Sequence, residues 1–428
     1  MDFAPPRGMR DFYPEEMRIR NTIFDAWKKA ARLYGFEEYD APVVESEELL
    51  TRKSGEEIID QIYHFTDKSD RRLALRPEMT PSLARMVISR QKMLTYPLKW
   101  FCTPQCFRYE RTTKGRKREH FQWNLDIVGE ESIMAEAEVL GAAITALKFM
   151  GLTAADFKVR VGSRRLLADL FRATGLAEAH FLPACLVLDK MGKISEAEIK
   201  QMLATEKLTD DEIQKVLELM QIRSLPQASA LLKTNPKSIQ DVQELFAIMT
   251  AAGLSDFLEF DISIIRGLDY YTGIVFEAFD TDRHFRAIFG GGRYDNLLSS
   301  LGGEKMTSIG LGFGDVVVRE LLEAKGKINV EAVNNGILIG YMDLAQREFA
   351  LKIAMSLRNQ GLDVNLALIP EKPKKFFSKG DKLKIHFSIY IGPDELNSGT
   401  FTIKNMITGA EKNYAFGQLV QGSKIELI

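Results

Sequence analysis

The chain has 428 residues, 45% of them hydrophobic, with 57 basic against 59 acidic side chains and a net charge of −2. That is enough apolar material for two or three buried cores, and the charge balance excludes a uniformly basic nucleic-acid coat, leaving any polyanion binding to local patches. The three cysteines, Cys102, Cys106 and Cys185, are an odd number in a long chain, and no apolar run reaches the roughly 18–20 residues that a membrane-spanning helix requires. With no charged-then-apolar leader at the N-terminus, a reducing, cytoplasmic setting is expected.

After the turn-like "APPRGMRDFYP", the segment from Pro14 places Ile19, Ile23, Trp27, Ala30 and Tyr34 at helical spacing, with a proline suited to the first turn and Gly35 to the end. "FEEYDAPVVE" reads as a strand with Pro42 at an edge or boundary. In "RRLALRPEMTPSLARMV" a strand precedes a helix, Thr80 suits the N-cap and Pro81 the first helical position, which puts Glu78 at the junction.

"PLKWFCTPQCFRYE" and "EHFQWNLDIVG" then read as an antiparallel hairpin around a basic loop holding Arg108, Arg111, Lys114, Arg116, Lys117 and Arg118. On the second strand a period of two sets His120, Gln122, Asn124 and Asp126 on one face and Phe121, Trp123, Leu125 and Ile127 on the other. In simple register Arg108 and Glu110 join the polar face. That face is either a binding floor or a solvated sheet surface with ordinary charge pairing, and the loop is either a solvated turn or a phosphate contact, since arginine grips phosphate through a bidentate fork. Cys102 and Cys106 share a strand face without completing a ligand set, so they read as small buried hydrophobes.

From about Ala173 to Ser255 the chain is rich in Leu, Lys, Glu and Ala and reads as a helical insertion. Strand character returns in "FLEFDISIIRGLDYYTGIVFEAF", followed by "IFGGGRYDNLL" and "SIGLGFGDVVVREL". Consecutive glycines admit either a plain turn or the close approach of backbone to a ligand. "GLGFG" lacks the strand, turn and helix spacing of a dinucleotide fingerprint, and there is no phosphate-binding lysine loop. Past the linker-like "KGKINVEAVNNG", strands and a helix alternate as in a compact α/β domain, interrupted by the lysine-rich "EKPKKFFSKGDKLK".

Taken together, "RGMRDFYP", "LRPEMT", "FRYERTTKGRKREHFQ", "RGLDYYTG" and "GGGRYD" resemble the class II histidyl-tRNA synthetases over nearly the whole chain. The resemblance implies an α+β fold: an antiparallel-sheet catalytic domain of the class II synthetase type with a helical insertion, plus a C-terminal α/β anticodon-binding domain. The corresponding segments are 1–172 and 256–325 for the catalytic domain, 173–255 for the insertion and 335–428 for the C-terminal domain. It also implies a homodimer involving the first long helix and the strand carrying Pro42.

The implied reaction joins histidine to its tRNA through a histidyl-adenylate, with ATP arriving as its Mg2+ complex; no ligand set for the metal can be named. The implied roles are catalytic for Arg108 and Arg266, and histidine-binding for Glu78, Thr80, Gln122, Asp126, Tyr270 and Tyr271. Arg108, Glu110, Arg116 and His120 fall on the ATP side, while Arg111, Thr112, Thr113, Lys114 and Lys117 meet the tRNA acceptor end. The lysine-rich C-terminal segment is either a second tRNA contact or a simple exposed helix.

Five positions depart from the family's pattern. Val317 stands where an arginine closes motif 3, and Arg319 is about 200° away around a helix. His120 replaces an adenine-stacking phenylalanine, Met79 a small residue, and Thr112–Thr113 the usual loop sequence. Val317 motivates a second reading, a histidine-sensing regulatory paralogue that partners a phosphoribosyltransferase of histidine biosynthesis; the retained Arg266 and the C-terminal domain argue against it.

Overall fold

The computed structural model describes residues 3–52, 61–113, 115–191, 194–265, 271–328, 334–420, 424–425 and 427. The chain divides into two compact units, Met1–Asn329 and Val330–Ile428.

The first unit is built on a nine-stranded sheet. In spatial order it runs β1 (Glu37–Glu38), β5 (Leu98–Cys102), β7 (Glu119–Val128), β12 (Ser308–Gly314), β11 (Phe289–Tyr294), β10 (Ile274–Asp280), β8 (Phe157–Ser163) and β9 (Leu258–Phe260), with β6 (Gln105–Phe107) added alongside β7. The central pairings are antiparallel, and the outermost pair at each edge is parallel. Pro42 divides the strand expected from "FEEYDAPVVE": β1 joins the large sheet, whereas β2 (Val44–Ser46) pairs with β4 (Arg72–Leu75) and β3 (His64–Thr66) in a small separate sheet.

One face of the large sheet is apolar because alternate residues of β7 are Trp123, Leu125 and Ile127, all buried. The helix Pro14–Leu33 covers it with Ile19, Ile23, Trp27 and Ala30, its proline in the first turn as the sequence predicts. Trp27 stacks on Trp123 at 6.1 Å between ring centres and meets Phe313 edge-on at 5.2 Å. The helix Met134–Phe149, buried nearly all round, packs against the first helix and against β7 and β12. Removing Trp27 from this layer costs roughly 3–5 kcal/mol on general grounds.

Between β8 and β9 the chain is helical, with capping boxes at Ser195–Glu198 and Thr209–Glu212 setting two of the starts. One local expectation fails. The helix Thr80–Arg90 begins at Thr80 itself, and the residue before it, Met79, makes no side-chain cap. The threonine side chain is left to line a cavity instead.

The second unit is a five-stranded sheet in the order β14 (Val364–Leu366), β13 (Asn334–Tyr341), β15 (Ile385–Ile391), β16 (Thr400–Asn405) and β17 (Glu411–Ala415). Its core gathers Ile337, Ile339, Ile353, Leu357, Ile389 and Phe401. The lysine-rich segment forms the helix Pro373–Lys382, anchored by the fully buried Phe376. Lys375 and Lys379 lie 3.8 and 3.6 Å from the buried Glu371, so part of its positive charge is answered within the unit.

Candidate active site

The polar face of β7 forms the floor of a cavity of about 260 Å³. His120, Gln122, Asn124 and Asp126 all line it, as the period of two predicts. Glu78 and Thr80 reach it from the start of the helix Thr80–Arg90, Tyr271 from the segment before β10, and Arg108, Glu110, Arg116 and Lys117 from the basic hairpin.

The floor exists because the neighbouring strand lacks side chains. β12 pairs with β7 so that Gly310, Gly312 and Gly314 lie opposite Asp126, Asn124 and Gln122. A Cβ on Gly310 would sit 2.0 Å from Asp126 Oδ1, and one on Gly312 would sit 1.7 Å from Gln122 Nε2. The "GGG" of β11 is likewise a strand and not a turn. A Cβ on Gly291 would lie 2.2 Å from the carbonyl oxygen of Gly310, so these glycines permit close strand packing and none of them needs a positive φ.

Asp126 is the deepest charge-bearing group. Its Oδ1 accepts a 2.7 Å hydrogen bond from the Tyr294 hydroxyl, while its Oδ2 is buried without a partner. Burial pushes its pKa up to about 7, with the Tyr294 bond holding it lower than it would otherwise be. Burial also raises Glu78, against the pull of the nearby Arg108. His120 is driven down to about 3 by burial and by the positive charge of Arg108, so it stands as a neutral imidazole.

Arg108 donates through Nε to the Pro77 carbonyl at 2.9 Å, which ties it to the strand-helix junction carrying Glu78. Arg116 pairs with Glu110 at 2.5 Å. The hairpin turns at Gly115, φ +73°, between the bridged residues Thr113 and Arg116. Arg111 and Thr113 are exposed at its tip, and Thr112 packs beside Gly8. Arg266, Tyr270 and Lys114 lie outside the described residues. Cys102 and Cys106 are buried thiols whose pKa values burial raises, Cys106 to about 12, in keeping with a packing role.

Sequence reasoning gave no role to several residues that build this site. Arg10, from "RGMRDFYP", pairs with the buried Asp315 at 3.0 Å, and its backbone N–H donates to Glu119. Asp315 in turn accepts from the backbone N–H of Phe121, so the N-terminal motif braces β7 from below. Tyr294, from "GGGRYD", orients Asp126, and Arg293 beside it is buried against Glu136. The motifs were visible; the partners, far away in sequence, were not.

Among the described residues, one group could geometrically hold a metal ion, Asp280, Asp282 and His284. It does not line the cavity; Asp280 already accepts from the backbone of His284 and Phe285, and Asp282 pairs with Lys325. No helix among the described residues is long and apolar enough to cross a membrane.

Residues 8–314 match the family model described as histidyl-tRNA synthetase, and residues 327–424 match the anticodon binding domain. The chain is 42% identical over 411 residues, 96% of its length and 85% of the relative's, to a chloroplastic/mitochondrial histidine–tRNA ligase of Arabidopsis thaliana. It is 37% identical over 427 residues, 98% of its length and 97% of the relative's, to a histidine–tRNA ligase of Leptospira biflexa. In three dimensions it resembles a histidyl-tRNA synthetase of Nostoc sp. PCC 7120 with a TM-score of 0.83 at 24% identity, covering 98% of this chain and 99% of that one, which speaks to the fold. With a family model covering most of the chain and close relatives along its full length, the chain belongs to the histidyl-tRNA synthetase family.

Proposed function

We propose that the chain attaches histidine to its tRNA in an ATP-dependent reaction that passes through histidyl-adenylate. In the first step an oxygen of the histidine carboxylate bonds to the α-phosphorus of ATP, and the bond to the bridging oxygen breaks with its electron pair leaving on pyrophosphate. In the second, the terminal ribose hydroxyl of the tRNA takes the acyl group and AMP departs. Both reacting groups of the first step are anions, so positioning and positive charge carry the catalysis.

The observation that best supports this reading is Asp126 Oδ2, a buried acceptor without a donor at the floor of the cavity. An imidazole N–H of the substrate would satisfy it, and the phenol of Tyr271 stands on the same cavity wall to meet the other nitrogen. Glu78, Thr80 and Gln122 take the substrate ammonium, and Tyr270 lines the pocket. Arg108 spans the carboxylate and α-phosphate, and Arg266 supplies charge from the other side. Glu110, Arg116 and the neutral His120 face ATP, which brings Mg2+ with it as part of the substrate. Arg111, Thr112, Thr113, Lys114 and Lys117 meet the acceptor end, and the C-terminal unit binds elsewhere on the tRNA.

A homodimer and a cytoplasmic setting belong to the same proposal. The regulatory reading is not favoured, because relatives that match 96% and 98% of the chain bear the ligase name. Arg266→Ala tests the catalytic assignment: adenylate formation should fall by about 100-fold or more, as for loss of a charge-stabilising donor. An unchanged rate would remove Arg266 from the mechanism.

A further inference from the structure

Beside the cavity stands Arg286, an exposed cation with no ion pair among the described residues. Arg286 lies in the connection between β10 and β11, directly before Ala287 and Ile288, which both line the cavity. A Cβ on Gly115 would be 3.5 Å from Arg286 Cδ and 3.5 Å from Val317 Cγ2, so Arg286 and Val317 flank the turn of the basic hairpin together. That turn is held in place, since the Gly115 N–H donates to Glu320 at 3.0 Å.

The charges around it do not cancel. Glu110 is committed to Arg116 at 2.5 Å; burial lowers the pKa of Arg116, Glu110 opposes that, and the charge of Arg286 nearby lowers it further. Val317 contributes no charge. Arg286 is exposed and, among the described residues, makes neither a hydrogen bond nor an ion pair. With Lys117, which lines the cavity beside Arg116, three cations face the two carboxylates of Glu110 and Glu320 at this turn, a positive excess that an anion entering the cavity would relieve.

We propose that Arg286 binds the terminal phosphates of the nucleoside triphosphate, the group that leaves as pyrophosphate. This rests on the ATP-dependent reading above. A guanidinium is planar, always charged and able to hold two phosphate oxygens at once, which suits an anion whose charge grows as the bond to the α-phosphorus breaks. Arg286 is then a substrate-binding residue on the side of the cavity opposite the histidine subsite.

The test is histidine-dependent exchange of labelled pyrophosphate into ATP by the full-length protein and by Arg286→Ala and Arg286→Lys, with AMP as a competitive inhibitor. In Arg286→Ala the KM values for ATP and pyrophosphate should rise roughly ten-fold, the KM for histidine and the inhibition by AMP should hold within about two-fold, and lysine should recover part of the loss. An unchanged KM for ATP in Arg286→Ala beside an active parent overturns the assignment of Arg286 alone. A matching loss of AMP inhibition also overturns it, since AMP carries no terminal phosphates. A parent that exchanges no pyrophosphate with histidine overturns the ATP-dependent reading and this inference with it.

Discussion

Asp126 links the proposed recognition of histidine to stability. Its pKa of about 7 in the folded protein lies well above the value near 4 of an unfolded aspartate. Between those values the folded state binds the extra proton, so this group's contribution to stability is full at low pH and is lost as pH rises from about 4 through about 7. Asp126→Asn removes the buried charge while keeping an acceptor for Tyr294. At pH 8 the variant should melt higher than the parent, by an amount on the order of 1–2 kcal/mol, while its KM for histidine rises at least about ten-fold. A variant less stable than the parent at pH 8, measured by thermal denaturation, would contradict the burial argument. The polar floor itself was legible, because a strand's period of two needs no tertiary information. Its answering groups were not: the Tyr294 hydroxyl comes from 168 residues away, and "GLGFG" read from sequence excludes a dinucleotide fingerprint without showing that its glycines lie opposite the floor.

At the scale of elements, β7 is held as a working surface by parts that never touch the cavity. The Arg10 guanidinium neutralises the buried Asp315, and Asp315 fixes the backbone at Phe121. Taking Arg10 away leaves a buried carboxylate without its partner, so Arg10→Ala should cost roughly 3 kcal/mol in denaturant unfolding. A cost under about 0.5 kcal/mol would mean that the pair acts as a solvated surface bridge. Helix and strand identities followed from periodicity, as in the helix Pro14–Leu33 with its buried stripe. Local chemistry misled at Thr80, which has the residue type of an N-cap but starts the helix itself and lends its side chain to the cavity. A site can claim a residue that propensity would assign to a terminus.

For the molecule as a whole, the near-zero net charge leaves tRNA binding to local patches, and the tip of the basic hairpin is the patch we propose for the acceptor end. Arg111 is exposed there, clear of the cavity lining. Arg111→Ala should therefore slow tRNA charging several-fold at low salt, with a smaller effect at high salt, and leave pyrophosphate exchange unchanged. Equal losses in both assays would place Arg111 in the adenylation site. The central claim, that the cavity activates histidine with ATP although Val317 brings no charge to its rim, is tested most directly by exchange of labelled pyrophosphate into ATP with each amino acid in turn. The account predicts exchange with histidine alone; no exchange with histidine, or equal exchange with other amino acids, would contradict it.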